Sequence, residues 1–359
     1  MKYFSAFSGA GGFDLGVPES WECVGMSEID RHADMVLRYR FKGVKNYGDI
    51  EKINYKELPD FDVQIGGSPC QDLSVAGKRA GLSGLRSRLF FSYVALLKVK
   101  QPKYFIFENV KGLLSSNEGR DFAEVVNQFS QAGYNVWWQV LSATDVGVPQ
   151  HRERVFIFGS LGGKSFRKVF LKPENEGEDT RIQRHSTNTI TRRYRQSESN
   201  GTYIAEGKRA PQIENLHFDR RQYNRVYGIN GVAPALHRDT GDRQVVKILA
   251  SRGRMEDGRW VQKMEERRDG RANTLTSVQK DNIVSVDSKI RYLTPLECER
   301  LMGWPDRWTK YGIDEKGNNV ELSDHARYNL IGNGVVPQAV RAVISALIPE
   351  EMDRLDEVE

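Results

Sequence analysis

Short apolar runs alternate with amphipathic segments of helical length over the first 160 residues of the chain. Apolar side chains recur at helical spacing from Leu89 to Leu97 and from Phe122 to Phe129, and a further helix is predicted to end near Tyr39. The apolar runs between them predict strands at residues 3–7, 21–26, 61–65, 104–107, 136–141 and 154–158. Repeated strand–helix units of this length predict an α/β fold, in which a doubly wound, mostly parallel sheet carries helices on both faces.

The pattern changes after Gly159. Residues 161–290 are rich in Arg, Gly, Asn, Thr and Ser and contain short apolar runs but no long helical pattern. A weak repeat at 188–191, 233–236 and 273–276 is followed each time by a polar turn and an apolar run, which is typical of hairpins. Chance similarity among short strand–turn–strand pieces is the alternative. We expect a smaller, β-rich second domain here.

Two helices are predicted near the C-terminal end. Thr294 can cap the first of them, Pro295 suits its first position, and Glu297 completes a capping box. The last helix places four apolar side chains on one face: Val340, Val343, Ile344 and Leu347. We expect this face to dock on the first sheet, so that residues 1–160 and 323–359 form one discontinuous domain and residues 161–322 form the other.

Composition and charge narrow the class of protein. The chain has 359 residues, of which 39% are hydrophobic and 28% charged, as is usual for a globular protein. No apolar run approaches the length of a membrane span, and the N-terminal residues lack a signal-peptide layout. Three widely spaced cysteines argue against disulfides and a structural metal site, so we expect a cytoplasmic protein without a metal.

The net charge of +5 is mild evidence for a polyanionic partner. A merely basic protein is an equally good interpretation of that number. The distribution is more informative, because arginines cluster from Arg181 onward. The clusters are Arg181 and Arg184; Arg192, Arg193 and Arg195; Arg220, Arg221 and Arg225; and Arg267, Arg268 and Arg271.

Cys70 stands on a loop that leaves the carboxyl end of a predicted strand. The strand breaks at Gly66 and Gly67, and Pro69 and Gln71 flank the thiol. Open α/β sheets place their ligands at this end of the strands. A buried structural thiol is the alternative, but the glycine-rich polar loop favours a nucleophile, which has to react as the thiolate.

A glycine loop follows the first strand and precedes a presumed helix. Gly9, Gly11 and Gly12 allow the backbone to approach a ligand closely, although glycine turns also close ordinary strand–helix units. Glu28 ends the next strand, where a carboxylate can accept the ribose hydroxyls of a nucleoside. The spacing is not G-x-G-x-x-G, which argues for a cofactor that lacks a pyrophosphate.

Two further polar groups end strands. Glu108 either caps the next helix or acts as an acid with a raised pKa that hydrogen-bonds a heteroaromatic ring nitrogen. Arg152 and Arg154 are two residues apart and therefore project from one face of a strand, with Glu153 on the other face. A solvated edge strand is the alternative. Because a buried strand follows directly, we expect the arginines to have anionic or carbonyl partners.

Six motifs together resemble the C5-cytosine DNA methyltransferases. They occur in the order of that family and leave only residues 165–285 unmatched, where the family carries its target-recognition domain. Gly334 is a small departure, since many members have serine there. The motifs span residues 7–13, 67–71, 108–110, 150–154, 291–305 and 332–335.

The resemblance implies a class I, Rossmann-like methyltransferase fold and a role for each matched residue. Cys70 is the nucleophile that attacks C6 of a flipped-out cytosine, and Glu108 engages N3 and the exocyclic amine. Arg154 holds O2, and Arg152 supports the site beside it. No residue matches a base for the C5 proton, and water is the alternative. The residues matched to the S-adenosylmethionine pocket are Phe7, Gly9, Gly11, Gly12, Phe13, Glu28, Ile29, Asp49, Ile50, Pro69, Leu89, Asn333 and Val335.

The partner implied by the resemblance is double-stranded DNA, bound by a monomer. The residues expected to contact DNA are Gln71, Ser74, Lys78 and Arg79 on the Cys70 loop, and Arg192, Arg193, Arg221 and Arg225 in the insert. A restriction endonuclease of the same site, acting without direct contact, is a further possible partner. A tRNA cytosine methyltransferase and a catalytically inactive DNA-binding protein are the alternative functions. A dinucleotide-dependent oxidoreductase is disfavoured by the glycine spacing.

Overall fold

The computed structural model describes residues 1–69, 87–162, 246–256, 259–266, 274–277, 282–286 and 289–348. Its centre is a six-stranded sheet in the order β2-β1-β3-β4-β6-β5. The strands are β1 (Lys2–Ala6), β2 (Glu22–Ser27), β3 (Val63–Gly66), β4 (Tyr104–Val110), β5 (Tyr134–Ser142) and β6 (Glu153–Leu161).

One strand runs against the others. β1 pairs in parallel with β2 and β3, and β3 in parallel with β4, whereas β6 is antiparallel to both β4 and β5. The link from β5 to β6 holds only a short 3₁₀ turn, Ala143–Val146, and a parallel pair needs a longer crossover. The predicted α/β fold with a mostly parallel sheet is confirmed, with β6 as the exception.

Helices cover both faces of the sheet. They are α1 (Arg31–Arg40), α2 (Ser87–Lys100), α3 (Arg120–Gln131), α4 (Pro295–Leu301), α5 (Asp324–Asn333) and α6 (Pro337–Leu347). Alternate residues of β4 point to opposite faces. Phe105 and Phe107 join an aromatic cluster with α2 and α3, whereas Ile106 joins the cluster that contains α6.

The last helix docks on the sheet as its pattern predicts. Val340, Val343, Ile344 and Leu347 are buried in one cluster with sheet residues such as Phe156. The 24-residue stretch Asp324–Leu347, which contains α5 and α6, is long and apolar enough to cross a membrane by composition. However, residues 334–336 break it into two helices and 67% of its most apolar window is buried in the protein, so it is a core element here.

Residues 293–322 pack on the first sheet as well. Leu293, Leu301, Trp304 and Leu322 lie in the same buried cluster as Ile65. The hairpin of β11 (Tyr311–Ile313) and β12 (Asn319–Glu321) packs against α1. The domain division remains a proposal, and from this packing we propose that the first domain resumes near residue 293 rather than at the expected residue 323.

A second sheet is antiparallel throughout. It has the order β10-β9-β7-β8 and consists of β7 (Val246–Glu256), β8 (Arg259–Glu266), β9 (Asn282–Val286) and β10 (Lys289–Tyr292). Its strands agree with the expectation of a β-rich insert. The hairpin predicted from 273–276 and 283–286 is wrong, because β9 pairs with β7 and β10 while residues 274–277 lie outside the strands. The first two repeats fall almost wholly outside the described residues.

Candidate active site

The carboxyl ends of three neighbouring strands bring the predicted motifs to one edge of the sheet. Ala6 of β1 is level with Gly66 of β3, which is level with Phe107 of β4. The next residue of each strand opens a motif, namely the glycine loop, the Cys70 loop and Glu108. A shared register therefore places at one edge what the chain separates by about 100 residues.

The glycine loop is held in a left-handed conformation. Phe7, Gly9 and Gly11 have φ of 55°, 54° and 83°, and the Gly11 N–H donates to the Ser8 carbonyl at 2.9 Å. The helix presumed to follow is wrong, since only a three-residue 3₁₀ turn, Asp14–Gly16, is formed. Pro18 disfavours a helical conformation at the preceding residue, which is extended here.

Glu28 ties this loop to the neighbouring strand end. One carboxylate oxygen accepts the Gly9 N–H at 2.7 Å, and the other accepts those of Ile29 and Asp30 at 2.8 and 2.7 Å. Burial raises the pKa of Glu28, and these N–H groups oppose the shift. A carboxylate has about four acceptor positions, so three backbone bonds leave capacity for a hydroxyl group.

Asn46 is a functional candidate that sequence reasoning missed. Its side-chain amide accepts the Glu28 N–H and donates to the Glu28 carbonyl, both at 3.0 Å, so it fixes the backbone on which the carboxylate stands. The same amide accepts the Gly48 N–H at 3.0 Å, next to Asp49. A lone asparagine in a loop carries no local signal of this role.

The other residues predicted for the cofactor pocket divide between two surroundings. Phe7, Ile50 and Leu89 pack on the aromatic cluster under α2 and α3, whereas Phe13 and Val335 belong to the cluster of α6. Gly12 lies against Val335, because a Cβ at Gly12 would stand 3.2 Å from the Val335 nitrogen. Ile29 is 73% exposed, Asp49 caps the short turn Ile50–Lys52, and Pro69 and Asn333 are exposed.

Glu108 and Arg154 form an ion pair. Arg154 Nε lies 2.9 Å from Glu108 Oε1, and the two side chains are only 17% and 15% exposed. Burial raises the pKa of Glu108, while the Arg154 and Arg152 guanidiniums pull it down. Glu108 therefore pairs with Arg154, and its side chain does not cap the 3₁₀ helix that begins at Lys111.

Gly67 contacts Glu108 directly. A Cβ at Gly67 would lie 2.7 Å from the Glu108 carbonyl oxygen and 2.9 Å from its Oε2. Only glycine fits at that distance. The start of the Cys70 loop is therefore pressed against the carboxylate.

Arg152 is buried, and its partners are carbonyl groups. Its guanidinium donates to the carbonyls of Gly334 at 2.5 Å, Gly332 at 3.2 Å and Leu275 at 3.4 Å. Arg152 and Arg154 line one small cavity together with Phe156, as expected from their shared face. Glu153 points the other way and pairs with Lys111 at 3.0 Å.

Residues 274–277, here called the strap, form a second feature that sequence reasoning missed. The Leu275 N–H donates to Gln150 Oε1 at 3.2 Å, and the Thr274 hydroxyl donates to the His151 carbonyl. A Cβ at Gly332 would stand 2.3 Å from the Ser277 nitrogen. The strap thus lies between the arginine motif and the C-terminal end of α5.

Several predicted site residues lie outside the described residues. They are Cys70, Gln71, Ser74, Lys78, Arg79, Arg192, Arg193, Arg221 and Arg225. Their assigned roles remain predictions.

Comparison with known proteins decides the family. A family model described as C-5 cytosine-specific DNA methylase matches residues 1–349. The chain belongs to this family. It is therefore a cytosine-C5 DNA methyltransferase, and its family uses S-adenosylmethionine as the methyl donor.

Curated relatives agree with the family, and a solved structure shares the fold. The chain is 28% identical to the orphan methyltransferase M.SPRI of Bacillus phage SPR, in an alignment that covers 97% of each chain. It is 30% identical to the type II methyltransferase M.BsuFI of Bacillus subtilis, over 97% of this chain and 72% of the relative. The S. pombe Dnmt2 methyltransferase shares the fold, with a TM-score of 0.55, 17% identity and coverage of 98% and 99% of the two chains.

Proposed function

We propose that this methyltransferase modifies C5 of a cytosine flipped out of a specific double-stranded DNA sequence, through a covalent bond between Cys70 and C6. The observation that carries the proposal is the Glu108–Arg154 pair. It stands at the carboxyl end of the sheet, in contact with Gly67, three residues before Cys70. A carboxyl with a raised pKa and a cation at one edge, close in the chain to a cysteine, suit a polar heteroaromatic ring.

The residue types match the electronic demand of the reaction. C5 of cytosine is a poor nucleophile, and addition of the Cys70 thiolate to C6 forms an S–C6 bond and shifts the C5–C6 π electrons, which makes C5 enamine-like. C5 then takes up the methyl group and loses its proton to a base. The electrons of the C5–H bond restore the double bond as the S–C6 bond breaks and the thiolate leaves.

Glu108 and Arg154 stabilise the charge that this addition creates. Burial raises the pKa of Glu108, so this carboxyl takes up a proton more readily than an exposed one and can share it with N3 as electron density moves into the ring. The Arg154 guanidinium can donate to O2. Arg152, bound to three carbonyls, supports the backbone around the pair.

The glycine loop and the residues that follow β2 fit S-adenosylmethionine. Glu28 retains acceptor capacity for a ribose hydroxyl, Ile29 offers an exposed apolar wall for the adenine, and Gly9 has open space where a side chain would stand. When bound, this cofactor supplies an electrophilic methyl group. The chain's own part is to orient the nucleoside by Glu28 and the loop backbone.

Access to C6 requires the target base to leave the duplex. Flipping costs a few kcal/mol, and phosphate contacts by the arginine-rich insert would offset it. A monomeric state and a cognate endonuclease of the same site remain predictions.

Trapping of the adduct tests the proposal. Cys70→Ser should abolish methyl transfer while DNA binding stays detectable, whereas Cys23→Ser, remote from the site, should methylate normally. DNA with 5-fluorocytosine at the target should form a stable adduct with the wild type, because the C5 proton is replaced. Bisulfite sequencing of DNA from expressing cells identifies the target. Wild-type turnover by the Cys70 variant, or methylation without any adduct, would refute the covalent route.

A further inference from the structure

Three aromatic side chains pack against the glycine loop. They are Phe41, Trp304 and Trp308, and we call them the aromatic clamp. Trp308 Nε1 donates to the Ala10 carbonyl at 2.7 Å. A Cβ at Gly11 would lie 2.7 Å from the Phe41 ring, and one at Gly12 would lie 2.9 Å from the Trp304 ring. Each of three consecutive loop residues thus contacts a different aromatic ring.

Trp304 also joins the loop to Val335. Its Nε1 donates to the Val335 carbonyl at 2.9 Å, and a Cβ at Gly334 would lie 2.4 Å from its six-membered ring. The indole therefore contacts both segments assigned to the cofactor, one from each end of the chain. A shift of this ring would move the two segments relative to each other.

Arg40 locks Trp308 in place. Its guanidinium donates to the Trp308 carbonyl at 2.8 and 2.9 Å and to the Arg307 carbonyl at 2.6 Å, and it lies 4.6 Å from the centre of the Trp308 ring. Phe41 packs edge-on against the same ring, with centroids 6.0 Å apart. The clamp is thus fixed to the end of α1 and not only to the loop.

We propose that Trp308 and Trp304 are positioning residues for the cofactor, which they hold through the backbone of the glycine loop. The inference rests on the proposed function, and extends it to residues that do not touch the cofactor themselves. The loop needs such support for two reasons. The left-handed φ of Phe7 persists only where the surroundings fix it, and the glycines that follow have little conformational preference of their own. Aromatic packing alone would stabilise the fold without setting cofactor affinity.

The test is whether substitutions at the clamp weaken cofactor binding without changing kcat. Trp308→Phe keeps the ring but leaves the Ala10 carbonyl without its donor, and Arg40→Met removes the lock from outside the pocket. Trp138→Phe is the control, because Trp138 packs on Phe122 on the other side of the sheet. Initial rates give kcat and the KM values for S-adenosylmethionine and for DNA, and calorimetry gives Kd for S-adenosylhomocysteine.

We expect KM for S-adenosylmethionine and Kd for S-adenosylhomocysteine to rise about fivefold or more in the Trp308 and Arg40 variants, as for a lost hydrogen bond. The values of kcat and of KM for DNA should not change. The control should leave all four constants as in the wild type. If the Trp308 and Arg40 variants keep the wild-type KM for S-adenosylmethionine and the wild-type Kd for S-adenosylhomocysteine, the inference is overturned. If the wild type itself neither binds the cofactor nor methylates DNA, the proposed function fails instead.

Discussion

The Trp304 ring leaves no room for a side chain at position 334, and substitution of Gly334 gives the sharpest test of the packing between these two residues. A Cβ at Gly334 would stand 2.4 Å from Trp304 Cζ2 and 2.9 Å from Cη2, whereas ordinary contacts begin near 3.4 Å. The indole is only 3% exposed and its Nε1 is bound to Val335, so it cannot swing away. Gly334→Ser, the residue of many family members, should therefore cost about 1–3 kcal/mol of unfolding free energy through overpacking.

Trp304→Phe removes the atoms that clash. Alone it leaves a cavity and a lost hydrogen bond, which should cost about 2–4 kcal/mol. In the double variant, the serine fills part of the space that the indole leaves. We expect a favourable coupling energy of about 1–2 kcal/mol between the two substitutions.

Urea unfolding followed by circular dichroism at 25 °C measures the four free energies without depending on tryptophan fluorescence. Trp138→Phe combined with Gly334→Ser is the matched control, and these two changes should add within about 0.5 kcal/mol because the sites are remote. A serine variant as stable as the wild type, or equal coupling to both tryptophans, would refute the size argument.

Two predictions concern buried carboxylates. Burial raises the pKa of Asp14 to about 6, above the unfolded value near 3.8, so the folded state binds the proton more tightly and stability falls as pH rises from about 4 to 6. The free energy of unfolding of Asp14→Asn, relative to that of the wild type, should therefore rise by about 2 kcal/mol between pH 4 and pH 8 in urea titrations. A difference in stability that does not change with pH would exclude this cause. Glu299 is fully buried and accepts from Arg327 at 3.2 Å and from the N–H groups of Arg307 and Thr309 at 2.8 Å. Glu299→Ala should cost about 3–5 kcal/mol in thermal or urea unfolding, and Arg327→Met should recover part of this loss; no recovery would mean that the backbone bonds, and not the stranded cation, set the cost.

Local chemistry predicted the elements whose causes are local. The capping box of Thr294 and Glu297 forms as expected, and the apolar face of α6 is buried. The shared face of Arg152 and Arg154 followed from strand geometry, and their need for carbonyl or anionic partners followed from the buried strand that comes next.

Contacts between distant segments were beyond reach. Trp308 and Ala10 are 298 residues apart, and Arg152 and Leu275 are 123 apart, so no pattern along the chain brings them together. The direction of β6 depended on the length of a turn, and the turn after the glycine loop depended on Pro18. The register of β1, β3 and β4, rather than any one motif, places the candidate groups at one edge.

The strap bears on how such an enzyme can change its target during evolution. The strap lies between β8 and β9 in the chain, so the antiparallel sheet is attached to the catalytic core at a point between two of its own strands. This attachment restricts hinge motion of the sheet. Yet Gln150 and Arg152 hold the strap through the N–H and carbonyl of Leu275, which every residue except proline provides. Residues of the insert outside the strap can therefore diverge, or be exchanged between relatives, while Leu275 and the Thr274 hydroxyl keep the insert attached to the core.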